Sequence, residues 1–404
     1  MSNTEPGPCE IMQVKQEELR RRLVALGFDA VRIAAIGPFP STGFNDWLAR
    51  GFQADMKWME RTAEKRLHPE LVLPGARSVI MLGVNYWADP EIPRRPPEAG
   101  GTIWARYAVY ADYHDTIKPA LAAAGRALEE LYGARGDDYR CFVDTGPLLE
   151  RGWAERTGIG FLGKNGMLIS RQFGNWLLLA GIITSVELDA DGPLRAQPAR
   201  PSAEARVGLL CGKCTRCVPA CPTNAISEAG LVDARRCISY HTIENKGFIP
   251  WELRPGIGTH IFGCDRCLEV CPWNRFAHAG LRMLLGARFG VAGIGLRELL
   301  ELDPGRFGEV FRGTPIKRLK LDGLLRNACV VAGNVAVGAG AAHELVDSLL
   351  RLAAHPAPMV RAHAIWAVHR IAGTDAPALL SAARGCETAP AVIAEYAMWP
   401  GGTV

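Results

Sequence analysis

The feature that most constrains this chain is the spacing of its cysteines. Eight of the 12 fall between Cys211 and Cys271. The first run, Cys211-Gly-Lys-Cys214-Thr-Arg-Cys217-Val-Pro-Ala-Cys221-Pro222, has the spacing of bacterial two-cluster iron–sulfur domains, in which the fourth cysteine ligates the other cube. Two intervening residues let the chain curl so that successive thiolates reach different irons of one cube. Pro222 is tolerated after the fourth because a first helical turn needs no amide donor. The second run, Cys264-Asp-Arg-Cys267-Leu-Glu-Val-Cys271-Pro272, repeats the pattern with its first cysteine displaced upstream to Cys237. Crossed ligation assigns Cys211, Cys214, Cys217 and Cys271 to one 4Fe–4S cluster, and Cys221, Cys237, Cys264 and Cys267 to the other. Two zinc sites are the competing reading, since Cys-x-x-Cys builds those as well. A tetrahedral site has no use for a three-cysteine curl ending in Cys-Pro, and that ending occurs twice. Cys9, Cys141, Cys329 and Cys386 have no partner spacing and read as small apolar residues.

The rest of the composition is that of an ordinary folded protein. With 46 basic against 42 acidic residues the formal charge is +4, so charge alone does not indicate nucleic acid, and any basic patch has to be local. The start, Met1-Ser-Asn-Thr-Glu-Pro-Gly-Pro, shows no apolar stretch behind a basic flank. The apolar run from Leu177 to Val186 is too short to span a bilayer. These features read as a cytoplasmic protein with no membrane partner, and in that reducing compartment metal ligation is a better account of the cysteines than disulfides.

Ahead of the cysteines the pattern is α/β. Glu17 to Leu26 reads as an amphipathic helix. Ala30 to Ala35, Arg77 to Asn85, Tyr139 to Asp144 and Trp176 to Thr184 read as strands. Tyr107 to Tyr132 reads as a helix, either broken near Gly125 or continuous. Alternating strands and helices predict a sheet covered on its faces. Residues 190–206, rich in Pro, Ala and Arg, read as a linker. After about Asp322 the chain turns to short Ala-rich helices. The segment Arg326–Gly338 resembles Arg361–Gly373 at a shift of 361 − 326 = 35 positions, with Ala332/Ala367 and Gly338/Gly373 in register, a spacing near the short end of HEAT repeats. A plain helical cap is the alternative. The expected organisation is an α/β domain over 1–200, a ferredoxin-type two-cluster domain over 201–285 and a helical, HEAT-like region over 286–404.

Several blocks outside the cysteines carry a family resemblance. They are Glu64-Lys-Arg66-Leu-His-Pro69, Tyr113-His114, Val143-Asp144-Thr145-Gly146 through Trp153-Ala154-Glu155-Arg156, and Gly158-Ile-Gly-Phe-Leu-Gly-Lys164-Asn165. With Ile261 to Arg275 and the helical tail, they make nearly the whole chain resemble the epoxyqueuosine reductases, cobalamin and iron–sulfur enzymes that complete queuosine in tRNA. Reductive dehalogenases share both cofactors but look like exported proteins with a twin-arginine leader.

The resemblance implies a cobalamin held in the α/β domain without a protein axial ligand, and two clusters that pass electrons to it from an external low-potential donor. Such clusters reach roughly −700 mV at one extreme. The reaction implied removes the epoxide oxygen at the tRNA wobble base, leaving a ring alkene and water. Asp144 matches the family's proton donor, a role that calls for a carboxyl whose proton is retained by burial. From residues alone it reads equally as the N-cap of the helical run after Thr145-Gly-Pro. The resemblance also implies that Arg66, Ala105, Asp144, Lys164, Asn165, Leu168, Leu179 and Ser239 contact the corrin or substrate. Against it, the position of Ala105 can be a cysteine in the family, and Gly166-Met167 is less polar than is frequent there. Each of these positions has a plainer alternative: Arg66 a solvated arginine, Lys164 and Asn165 a glycine-bounded turn, Ser239 a turn residue. His114, His241 and His260 read as hydrogen-bonded histidines, not metal ligands. For tRNA phosphates the candidate patch is Arg312, Lys317, Arg318, Lys320 and Arg326, with Arg94, Arg95 and Lys246 beside it. A related reductase of a small molecule, a ferredoxin-like carrier with a docking tail and a helical scaffold with structural clusters are the competing functions. Nothing in the sequence demands more than a monomer.

Overall fold

Four strands form the principal sheet: β1 (Ala30–Ala35), β2 (Ser78–Asn85), β3 (Tyr139–Phe142) and β4 (Leu177–Thr184). Their spatial order is β1-β2-β4-β3, and every pair is antiparallel. The computed structural model describes residues 7–37, 42–87, 101–194, 207–335 and 344–399. Central strand β2 is buried along its whole length, and its side chains alternate between two separate apolar layers. Ile80, Leu82 and Val84 face helices α1 (Pro8–Ala25) and α2 (Tyr113–Tyr132), where Leu19, Leu23, Ile117 and Leu121 close the layer. Val79 and Met81 face the other way, against Trp153 and Ala154 of α3 (Glu150–Thr157). The sheet is thus covered on both faces, as the alternating pattern predicts.

The long helix expected from Tyr107 starts later. The chain makes a 3-10 turn over Arg106–Val109, leaves helical geometry, and restarts at Tyr113, where the Asp112 side chain accepts from the His114 backbone N–H. Gly125 does not break α2. A Cβ there would lie 2.4 Å from the Tyr139 ring, so glycine lets helix and strand approach.

The cysteine-bearing segment and the C-terminal helices share one continuous core. It runs from Trp104 and Tyr110 through Phe262 and Leu268 to Phe311, Val331, Trp366 and Tyr396. The short strand Ile103–Trp104 pairs in parallel with His260–Phe262, which stitches the first part of the chain into this core. Helix α4 (Lys320–Val335) crosses it and packs on α5 (Pro358–Ala372). The two similar segments lie on these helices, with Gly333 against Trp366. Gly338 falls outside the described residues.

Arg326 corrects its sequence reading as a phosphate ligand. It is wholly buried, and its guanidinium donates to His241 O at 2.6 Å, Asn245 O at 2.7 Å and Gly247 O at 2.9 Å. Burial pulls its pKa down to about 10. Asn327 Nδ2 donates to Thr242 O at 3.0 Å and Ile261 O at 2.9 Å, and Asn334 Nδ2 to Arg254 O and Gly258 O. Polar groups of α4 therefore satisfy backbone carbonyls at the end of the helix after Cys237, in the turn beyond it and along the segment leading to Cys264. A buried Arg254–Glu395 pair at 2.6 Å fastens α6 (Pro390–Ala397) to the same segment. Among the described residues no helix is long and apolar enough to cross a membrane.

Candidate active site

A cavity of about 700 Å³ opens between the sheet, the turns ahead of α3 and the helix Ile238–Ile243 that follows Cys237. Its size is that of a cofactor or ligand site. Asp144, Arg66, Ser239 and Cys237 all line it, joined by Tyr113, His114, Glu150, Arg151 and Arg318. Phe44, Trp47, Met56, Met59, Leu148, Met167 and Phe262 supply apolar wall.

Asp144 is not an N-cap, because α3 begins only at Glu150, after Leu149. Its backbone instead takes a left-handed φ of 57°, which non-glycine residues adopt rarely and mostly at special sites. That twist turns the carboxylate off the strand end into the cavity, where 54% of the side chain stays exposed. The Tyr113 hydroxyl donates to Asp144 Oδ2 at 2.7 Å. Burial, with the charge of Asp144 next, pushes the Tyr113 pKa far up, so the phenol remains a donor. His114 is oriented by Asp112, whose Oδ1 lies 2.8 Å from His114 Nδ1, leaving Nε2 at 3.9 Å from Asp144 Oδ2. Arg318 stands 3.9 Å from the same oxygen and pairs with Glu244 at 2.9 Å.

A second carboxyl of the cavity is sealed from solvent. Glu150, at the first turn of α3, has its Oε1 sealed from solvent without a hydrogen-bond partner among the described residues. Burial raises its pKa to about 7, and the charge of Asp144 adds to the rise against its own backbone N–H, Arg66 and Arg151. Arg66 donates to Leu148 O at 3.0 Å and Thr62 Oγ1 at 2.9 Å. Sequence reasoning gave no role to Glu150, although it lies inside the Val143–Arg156 block; burial of one carboxyl has no signature in the chain.

Five residues expected at the corrin or substrate do not line this cavity. Lys164 Nζ donates to Gly212 O at 2.7 Å, beside Cys211. Asn165 begins a buried chain: its Nδ2 donates to Asn175 Oδ1 at 2.9 Å, Asn175 Nδ2 to Asn274 Oδ1 at 3.0 Å, and Asn274 Nδ2 to Leu268 O at 2.6 Å. Both side chains brace the cysteine loops. Leu168 is core and Leu179 packs against the same layer beneath the sheet. Ala105 is buried, its N–H donating to Phe262 O at 2.8 Å, with Gly263 close enough that a Cβ there would meet the Ala105 methyl at 2.6 Å. The histidines are hydrogen-bonded as read, His241 Nε2 at 2.7 Å from Arg235 O and His260 Nδ1 at 2.8 Å from Ile257 O.

The eight spaced cysteines form no disulfide, and all are partly buried. Burial raises Cys217, and the cysteines that add to the rise are Cys211, Cys271 and Cys214. Burial likewise raises Cys267, with Cys237, Cys264 and Cys221 adding. Cys217 and Cys267 thus each sense the other three members of their own expected set. Eight cysteine sulfurs in two sets of four are the donors that a pair of iron–sulfur cubes takes, so the donor chemistry fits. Residues 210–274, which contain all eight, match the 4Fe-4S double cluster binding domain.

Residues 66–145 match the epoxyqueuosine reductase QueG family model. The epoxyqueuosine reductase of Gloeobacter violaceus is 36% identical over 325 residues, covering 77% of this chain and 93% of that one. The chain belongs to the epoxyqueuosine reductase family. Among solved structures, an epoxyqueuosine reductase with an epoxyqueuosine-modified tRNA-Tyr stem loop superposes with a TM-score of 0.80 at 28% identity, over 95% of this chain and 97% of that one. The Bacillus subtilis enzyme, captured with its catalytic aspartate loop swung out of the active site, gives 0.81 at 27% identity over the same shares.

Proposed function

We propose that this protein reduces epoxyqueuosine to queuosine in tRNA, with cobalamin in the cavity and the two clusters as its electron supply. The observation that carries this reading is the shared wall: Asp144, the candidate proton donor, and Cys237, a candidate cluster ligand, line one cavity. Arg66 and Ser239 on the wall, with the apolar side chains around them, suit a corrin, which presents flat apolar faces and an amide rim. When bound, cobalamin reduced through the clusters supplies the two electrons. The chain's own residues handle the oxygen. An alkoxide is a poor leaving group, so a positioned acid must protonate it. Asp144, turned into the cavity by its left-handed backbone and held by Tyr113, is the residue for that step, and since 54% of its side chain is exposed in this structure, the bound corrin and substrate must supply the burial that the role calls for. That the Bacillus subtilis relative has a catalytic loop bearing an aspartate supports this choice.

Cys211, Cys214, Cys217 and Cys271 form one ligand set in this reading, and Cys221, Cys237, Cys264 and Cys267 the other. The second set faces the cavity through Cys237, so electrons enter at the first. The tRNA reaches the cavity rim at Arg318, and the exposed Arg312, Lys317 and Lys320 nearby in sequence supply phosphate contacts. Arg94 and Arg95 lie outside the described residues, and Lys246 is turned to Ile243 O. The paired α4 and α5 are read as one HEAT-like unit that backs the cluster loops.

Anaerobically reconstituted protein should convert an anticodon stem loop carrying epoxyqueuosine to queuosine, seen by nucleoside mass spectrometry as the loss of one oxygen. Asp144→Ala should cut turnover by roughly 10²–10⁴-fold while iron, sulfide and cobalamin content stay at wild-type levels. Undiminished turnover would remove Asp144 from the step.

A further inference from the structure

Deoxygenating an epoxide has a stoichiometry that one acid cannot meet. Both C–O bonds break, a carbon–carbon π bond forms, and the oxygen leaves as water, so the step consumes two electrons and two protons. The electrons come from the low-potential donor through the clusters. Asp144 holds one proton at a time. We propose that Glu150 is the second proton store of this cavity, supplying the proton that joins the one delivered at Asp144 to release the oxygen as water.

This inference rests on the reaction assigned above, and its own support is geometric. Glu150 and Asp144 line the same cavity, one at the start of α3 and the other at the end of the strand before it. Their environments are opposite. Asp144 is largely open to solvent and accepts the Tyr113 hydroxyl, whereas Glu150 Oε1 is sealed and has no hydrogen-bond partner among the described residues. The charged groups that face Glu150 are Asp144, Arg66 and Arg151. Neither guanidinium forms an ion pair with it among the described residues: Arg66 is occupied by Leu148 O and Thr62 Oγ1, and Arg151 by Gly166 O. A carboxyl with a buried, unpartnered oxygen beside another carboxylate keeps its proton to higher pH than a solvated one. Its pKa, raised to about 7, agrees with that geometry. Two carboxyls in contrasting environments around one reacting centre is the arrangement by which acid and base roles are divided.

The test uses cluster-loaded enzyme, as wild type, Glu150→Gln and Glu150→Asp. Infrared titration without substrate should show one protonated carboxyl band that disappears near neutrality in wild type and is missing from E150Q. Single-turnover deoxygenation by wild type should slow about tenfold per pH unit above that point. E150Q should be roughly 10²-fold slower at neutral pH and lack this alkaline limb, and E150D should restore part of both. E150Q that matches wild type in rate and alkaline limb would overturn the proposal. So would a wild-type band that titrates in the ordinary carboxylate range, a result readable even if E150Q fails to fold. Wild type inactive on the epoxide at every pH would overturn the assigned reaction instead, while the infrared band would still decide whether Glu150 stores a proton.

Discussion

The two halves of the molecule satisfy their backbones by different means. In the α/β half, four antiparallel strands exchange ladder hydrogen bonds, and two apolar layers on opposite faces complete the structure. In the cysteine-bearing half, strands are two or three residues long, and the loops between cysteines have few ladder partners. Buried side chains from elsewhere take over: Arg326, Asn327 and Asn334 from α4, and the Asn165–Asn175–Asn274 chain from the first half. A region that must wrap two inorganic cubes cannot also be regular, and an unpaired buried carbonyl is costly. The C-terminal helices are therefore part of what holds the cluster loops, whatever else they contact.

The comparison can be broken by single substitutions, and Arg326→Met should have the largest effect. It strips donors from three backbone carbonyls of the segment after Cys237 at once and should cost about 4–5 kcal/mol, read as a lowered denaturation midpoint together with iron lost from the protein. Glu395→Ala, which leaves Arg254 buried without its partner, should cost about 3–4 kcal/mol and loosen the clusters in the same way. Iron content unchanged in both variants would mean that the helices do not support the loops.

Gly125→Ala probes the other half. Its new Cβ would meet the Tyr139 ring and should cost about 1–3 kcal/mol, lowering the melting temperature while iron per chain stays constant. Loss of iron here would show that the two halves are not energetically separable. Smallest is the paired charge reversal Lys317→Glu and Lys320→Glu on the exposed surface. It should leave melting unchanged, weaken stem-loop binding by about tenfold at low salt, and flatten the salt dependence.

The strands β1, β2 and β4 were legible because each is a run of apolar or alternating residues, and the helix–strand alternation was enough for a sheet covered on both faces. Pairing order was not legible, since β4 inserts between β2 and β3 through contacts distant in sequence. The site was legible unevenly. Asp144 was singled out through the family resemblance, but its competing role as a cap was removed only by its left-handed backbone and by α3 starting six residues later. Lys164 and Asn165 sit in a motif that suggests a binding loop, yet their hydrogen bonds run to the cysteine segment. Arg326 looked like surface charge because its neighbours in sequence do not reveal that the middle of α4, Gly323 to Gly333, is covered on all sides.

By itself the sequence determined the redox chemistry. Thiols three positions apart present themselves within one curl of backbone, so cysteine spacing specifies a cluster motif before any long-range contact forms. Only the tertiary structure decided which carboxyl is dry and which is wet. Desolvation depends on what neighbouring segments place over a side chain, and for Asp144 and Glu150, six residues apart, those surroundings are opposite.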